Sequence, residues 1–298
     1  MGRLKGVHHG LSGHLNALAL GSLYEPESRG INAWTTAYGT WQRLNADSTV
    51  DSPGFSGNHF GNITGVENRL GALTLGISGA VGGSSANFGE GLGSLSADTW
   101  HAGVYGSVAL GRVVVDAAAS YGTGDNIFKR NSASVKFQDS EWLTQFGVSL
   151  PLKSGSLTIT PSVHLLSSGY KQDTFTDSAT GPLAMKVVGN SFTTHATKTG
   201  LQAAELLSIK GHAVRLSASS DWLHYLENKR QQTQVLLGGL DDAATTTEGS
   251  KAGYDALEIG IAAEIALTRR TTLRVSVQHE MQNNQTTTNG NVTLSVDF

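Results

Sequence analysis

Residues 252–282 read AGYDALEIGIAAEIALTRRTTLRVSVQHEMQ, and this stretch decides the fold. Before the turn Thr268-Arg269-Arg270-Thr271, one face carries Leu257, Ile259, Ile261, Ala263, Ile265 and Leu267. The other carries Ala256, Glu258, Gly260, Ala262, Glu264 and Ala266. After the turn, Leu273, Val275, Val277 and Met281 stand opposite Arg274, Ser276, Gln278, Glu280 and Gln282. Period-two alternation marks strands whose two faces meet different surroundings. His212–Leu226 repeats it, with Val214, Leu216, Ala218 and Trp222 against Arg215, Ser217, Ser219 and Asp221. Such strands are far longer than the roughly five or six residues usual in soluble proteins. A tilted strand that crosses lipid needs about 9–11 residues for the hydrocarbon alone.

Outward from this stretch, the connections alternate between tiny and long. The short ones are Arg69-Leu70-Gly71-Ala72, Leu110-Gly111-Arg112, Lys153-Ser154-Gly155-Ser156, Ile209-Lys210-Gly211-His212 and Thr268-Arg269-Arg270-Thr271. The long polar ones are Asn45–Ser56, Gly82–Leu95, Thr123–Ala133, Lys171–Gly189, Glu227–Lys251 and Asn283–Gly290. Five tight turns and six loops separate twelve strands. Transmembrane barrels have short periplasmic turns and longer external loops. The expected fold is all-β, a 12-stranded antiparallel transmembrane β-barrel.

Charge placement follows from that fold. A Lys or Arg facing lipid near the midplane costs roughly 2–4 kcal/mol. Arg215, Glu258, Glu264, Arg274 and Glu280 are therefore expected to line the lumen, with opposite charges paired across it. Alternation alone would also suit a soluble barrel whose apolar face is its core. Turn–loop asymmetry, strand length and tryptophan placement favour the membrane. Trp34, Trp41, Trp100 and Trp222 fall near predicted strand ends, where aromatic girdles form, and Trp142 nearer mid-strand. Pro161 predicts a bulge or irregular pairing, because proline removes a ladder hydrogen bond.

Composition agrees. Charged residues make up 15% of the 298, glycine contributes 37, and the net charge is −3. A nucleic-acid partner would need a basic face, and none is present. The absence of cysteine excludes disulfides, Cys-based zinc sites and thiol catalysis. No apolar run approaches the roughly 20 residues of a membrane helix. Met1 is not followed by the apolar core of a signal peptide, so the chain is expected to be the C-terminal part of a longer precursor.

Gly2–Tyr24 lacks strand alternation. Leu4, Val7, Leu11, Leu15 and Leu18 recur at intervals of three and four, an apolar stripe on a helix. Gly6, Gly10 and Gly13 each weaken that helix by about 1 kcal/mol relative to Ala. As a helix the segment spans roughly 35 Å, enough to thread a bilayer-thick pore. Pro26 would then end it before a first strand opening at Ile31. The pattern alone leaves a surface helix or frayed linker equally open.

Several stretches resemble one family. Trp34-Thr35-Thr36-Ala37-Tyr38-Gly39-Thr40-Trp41 is similar to the aromatic-plus-glycine opening strand of autotransporter (type V secretion) translocator domains. Gly65-Val66-Glu67-Asn68-Arg69-Leu70-Gly71 with Leu73-Thr74-Leu75-Gly76 resembles the second and third strands, and His101-Ala102-Gly103-Val104-Tyr105-Gly106 the fourth. Val292, Leu294, Val296 and Phe298 in the final segment resemble the signal read by the barrel-assembly machinery. The resemblance implies a helical linker and pore plug over 1–29 and an outer-membrane barrel over 30–298. It also implies secretion of an N-terminal passenger of the same precursor to the surface of a Gram-negative bacterium. Self-cleaving members carry paired asparagines in the linker, whereas only Asn16 lies there, so no cleavage residues are carried over.

Enzyme signatures are lacking. There is no G-x-S-x-G elbow, no P-loop, and His279-Glu280 lacks the second histidine of H-E-x-x-H. His8, His9 and His14 have no usual metal spacing and are read as solvated or pore-lining. No catalytic, cofactor or metal residues are assigned, and the chain is expected not to be an enzyme. The rival readings are an outer-membrane channel or porin, which needs no segment before the barrel, and a barrel hydrolase with a non-standard Ser/His pair.

Overall fold

The computed structural model describes residues 2–21, 23, 29–130, 133–176, 185–227, 232–237 and 244–298. Its strands are β1 (Arg29–Leu44), β2 (Phe55–Leu70), β3 (Leu73–Phe88), β4 (Gly93–Leu110), β5 (Val113–Arg130) and β6 (Ala133–Ser149). They continue as β7 (Leu157–Gln172), β8 (Asn190–Ile209), β9 (His212–Tyr225), β10 (Asp255–Ala266), β11 (Thr271–Gln282) and β12 (Gln285–Asp297). Each pairs antiparallel with its neighbour in the chain, and β12 returns to β1 with Thr35 opposite Leu294. The sheet therefore closes into a 12-stranded barrel without an edge. At four of the five tight turns, Gly71, Gly111, Gly155 and Gly211 take φ between 62° and 84°, a region that penalises a Cβ.

The barrel is inverted relative to a soluble one. Many large apolar side chains are exposed on its outer face, Ile261 at 67% exposure and Ile77 at 66% among them. Its buried side chains include Glu67, Glu141, Glu258, Glu264, Arg215 and Arg274. A soluble barrel would bury the first set and wet the second. This arrangement is stable only with hydrocarbon outside.

The outward aromatics form the girdle, with one exchange from expectation. Trp41, Trp100 and Trp222 are about half exposed, and Phe60 packs edge-on against Trp41. Trp142 belongs with them: it pairs with the outward Tyr121 on a strand that runs farther outside than expected. Trp34 does not belong. It is 2% exposed and points into the lumen, where its ring occupies the space left by Gly65.

Three long loops prove to be mostly strand. β3 and β4 leave only four residues, 89–92, between them, β5 and β6 pair up to Arg130 opposite Ala133, and β11 and β12 are joined by Asn283-Asn284. Residues 131–132 lie outside those described. Serine, asparagine and glycine disfavour strand intrinsically, but a ladder already running extends through them when its neighbours supply every partner. The two longest loops carry a small sheet of their own, from Phe175–Thr176, Met185–Val187, Gln232–Leu237 and Ala244–Glu248. Their residues 177–184, 228–231 and 238–243 lie outside those described.

Pro161 causes no bulge. Leu201 opposes it on β8 in unbroken register, and Leu150 N–H donates to its carbonyl at 3.0 Å. Only the return bond is lost, because proline has no N–H, and β6 is interrupted at Leu150-Pro151. Leu152–Ser154 then resumes pairing with β7 in the same register.

Inside the barrel runs helix α1, Gly2–Leu20. Gly21, at φ 78°, ends it, and its N–H returns to the Leu18 carbonyl at 3.0 Å. The stop thus comes before Pro26, which with Tyr24 lies outside the described residues. Val7, Leu11 and Leu15 are buried in one cluster with Trp34, Tyr38, Ile63 and Tyr105 of the wall, and Leu18 packs against it. The side chain of Leu4 lies outside those described. Two of the three helix glycines are contact points rather than defects. A Cβ at Gly10 would stand 2.6 Å from Ile63 Cδ1, and one at Gly6 would stand 2.8 Å from Thr40 Oγ1. Gly13 faces open space.

Opposite outcomes follow for these glycines. Gly10→Val forces the helix off the wall, an overpacking cost of about 1–3 kcal/mol. Gly13→Ala removes a helix penalty of about 1 kcal/mol at no steric cost. Amide hydrogen exchange of the helix in detergent micelles is expected to accelerate about tenfold in the first variant. In the second it is expected to slow about fivefold.

Candidate functional site

The lumen around the helix carries the polar chemistry of this chain. Strand alternation places every second side chain inward, and the helix presents Lys5, His9, Ser12 and His14 to them. Lys5 Nζ lies 2.6 Å from Glu280 on β11, and His9 Nε2 lies 3.6 Å from Glu258 on β10. Both carboxylates stand near the strand ends opposite the tight turns, so the helix begins at the external mouth. At its other end, His14 Nε2 lies 2.7 Å from Glu67 Oε2, near the periplasmic end of β2.

The periplasmic contact is a connected cluster. His14 stacks on Trp34 with ring centroids 4.3 Å apart. Trp34 Nε1 donates to Tyr105 Oη at 2.6 Å, and Tyr105 in turn donates to Glu67 at 3.1 Å. Glu67 Oε2 thus accepts from helix and wall together, which offsets part of the cost of burying the carboxylate. Arg69 adds an ion pair to Glu67 at 3.5 Å and another to Asp297 of β12 at 3.2 Å. The helix foot and the β1–β12 seam therefore share one polar cluster.

The five charges expected in the lumen divide into two groups. Glu258 and Glu280 are buried and face the helix. Arg215, Glu264 and Arg274 are buried in register on adjacent strands, with both guanidinium groups about Glu264 at 3.5 and 3.6 Å. Opposite charges thus pair along the wall, not across the lumen, because neighbouring inward positions are closer than the far wall and the helix stands between. Lys198 on β8 binds Glu258 at 2.7 Å and Asp221 at 3.6 Å. Lys5, Lys198, Glu67 and the wall pairs His101–Glu141 and His164–Asp116 had no signal beyond their place on polar faces. Of the assembly-signal positions, Val292 and Leu294 are exposed, and Phe298 N–H donates to the Ile31 carbonyl at 2.9 Å.

Two other arrangements bear on chemistry. His9, Glu258 and Glu280 bring ligand atoms within 4.8 Å of one another. Each carboxylate already binds a lysine ammonium, so a metal ion there would face two fixed positive charges. Ser12 Oγ lies 3.2 Å from His8 Nδ1 and 3.4 Å from Nε2, a side-on contact, and donates its proton to Gln145 Oε1 at 2.7 Å. A general base would need that proton aimed at one ring nitrogen.

The sequence profile of the autotransporter beta-domain family matches residues 33–278. A sequence comparison with curated proteins finds no match. Among solved structures, the fold is similar to the translocator domain of autotransporter NalP from Neisseria meningitidis. That comparison has a TM-score of 0.73 and 15% identity, covering 98% of this chain and 96% of that one. It is also similar to the β domain of the Bordetella autotransporter BrkA, at TM-score 0.66 and 12% identity over 90% and 100% of the two chains. The transport unit of AIDA-I from Escherichia coli gives 0.61 and 17% over 98% and 97%. A profile match over most of the chain, on a closed barrel threaded by its own N-terminal helix, places this protein in the autotransporter β-domain family.

Proposed function

We propose that the helix is the retained end of the secretion path, held as plug and anchor by Lys5–Glu280 and His9–Glu258 outside and His14–Glu67 inside. As a member of its family, the domain inserts in the Gram-negative outer membrane and mediates secretion of a passenger that precedes it on the same precursor. The observation that carries the reading is the direction of the helix: it begins at the external mouth and returns to β1 at the periplasmic one. Whatever precedes it therefore emerges on the outside. A porin would need an open lumen along this axis, and here the helix runs through it. We further assign no chemistry of its own to the domain. The exposed Val292, Leu294 and Phe298, at the strand that closes the barrel, are the surface offered to the assembly machinery and then to lipid.

The test uses an exported precursor carrying an epitope-tagged reporter ahead of the helix. External protease on intact cells is expected to cleave the reporter while a periplasmic marker survives. A protected reporter beside an inserted barrel would overturn the secretion reading. Deleting residues 2–20 is expected to raise single-channel conductance severalfold, and unchanged conductance would remove the plug role.

The ion pairs give a sharper prediction. Lys5→Met leaves the Glu280 carboxylate buried without its partner, which costs about 3–5 kcal/mol in helix docking. Adding Glu280→Leu removes the orphaned charge, so the double variant is expected to recover most of that loss. Helix amide exchange and open-pore events in planar bilayers both report it. Equal behaviour of the single and double variants would show that the pair does not hold the helix.

A further inference from the structure

Above the polar lumen, at the external mouth, the inner wall turns aromatic. Phe55, Phe88, Phe128, Phe137, Tyr170 and Phe192 all fall on inward positions of β2, β3, β5, β6, β7 and β8. They fall in three groups. Phe55 lies opposite Phe88, with ring centroids 6.2 Å apart, and Phe88 lies 6.1 Å from Phe128. Leu95 on β4 fills the position opposite Phe128, and Val135 on β6 its other side. Tyr170 lies opposite Phe192 at 5.3 Å, and Phe137 stacks on Phe175 at 4.4 Å. Two to four residues deeper along β2, β4, β5 and β6 stand His59, Thr99, Asn126 and Asp139, all buried and polar.

An aromatic band inside the water-facing mouth of a barrel is unexpected. Inward positions at that depth meet no lipid, and hydration of half-buried rings is unfavourable. Among the described side chains, the outermost approaches of the helix to the wall are Lys5 to Glu280 and Gly6 to Tyr38 and Thr40, below the level of Phe55. Thr40 lies opposite His59, four residues deeper than Phe55. A chain entering the helix from outside has to cross this level, because the barrel wall is closed around it.

We infer that this aromatic band is the contact surface for the polypeptide segment immediately upstream of the helix, seating it as the passenger leaves the pore. The inference rests on the secretion reading given above. Rings suit such a partner because a moving chain presents changing side chains, and aromatic faces hold aliphatic, aromatic and cationic groups alike. The band lines one side of the mouth, β2 to β8, so the segment is held against that wall. The opposite rim, β9 to β12, has shorter strands.

The test uses the full precursor in a Gram-negative host, with a photo-crosslinking phenylalanine analogue at position 88 or, as the outward control, at position 87. Position 88 is expected to crosslink to the upstream segment and position 87 is not. Crosslinks from 88 that stay within the barrel, or that match the control, would overturn the inference. In parallel, Phe55→Ser, Phe88→Ser and Phe128→Ser combined are expected to slow appearance of the passenger at the surface at least severalfold. The matching Leu triple variant is expected to export near the normal rate. Export by the Ser variant at the normal rate would also overturn it. Insertion of both is read separately from heat-modifiable mobility, and the crosslink decides the matter even where the Ser variant does not insert. A wild-type precursor that exports nothing would instead strike the secretion reading itself.

Discussion

Closure of the hydrogen-bonded ladder between β1 and β12 is the constraint on which everything else depends. Hydrocarbon offers no partner to a backbone N–H or C=O, so a sheet can cross it only without edges. Once thirteen paired positions join Asn32–Leu44 to Gln285–Asp297, alternation has nowhere to put apolar side chains but lipid and nowhere to put charge but the lumen. The inverted burial pattern is thus a consequence of closure and not a separate property. The same seam also touches the site: Arg69 links Asp297 of β12 to Glu67, which holds the foot of the helix.

The second organising fact is that the lumen is occupied by the chain's own segment. Burying this many ionisable groups would be prohibitive without partners, and the helix supplies part of them. Lys5 and His14 sit at opposite ends of it, so the carboxylates of β2 and β11 fix both its depth and its direction. Apolar contact through Val7, Leu11 and Leu15 presses it to β1 and β2, where Gly6 and Gly10 allow close approach. Tight packing on one side and ion pairs on the other give a helix that is specified without being covalently closed in.

Much of this was legible in the residues. The stretch from Leu257 to Met281 carries both strand faces in plain alternation, and the five tight turns give the strand count and sidedness. The stripe Val7, Leu11, Leu15 shows a helix face. Legibility failed where local preference and context disagree. Gly82–Leu95 and Thr123–Ala133 look like loops because serine, asparagine and glycine disfavour strand, yet the neighbouring ladder carries them along. Trp34 looks like a girdle residue by position, but its face of β1 is the inner one, and only Gly65 opposite explains the room for its ring.

The sequence by itself determined the class, the number of strands, the sides on which turns and loops fall, and which faces meet lipid. Those features depend on periodicity and on the cost of charge in hydrocarbon, which act on each strand alone. Only the tertiary structure decided which lumen charges meet which: Glu280 with Lys5, Glu67 with His14, Glu264 with Arg215 and Arg274. It also decided that Phe55, Phe88 and Phe128, far apart in the chain, form one wall. Partners of this kind depend on register, and register exists only once twelve strands have closed around a helix.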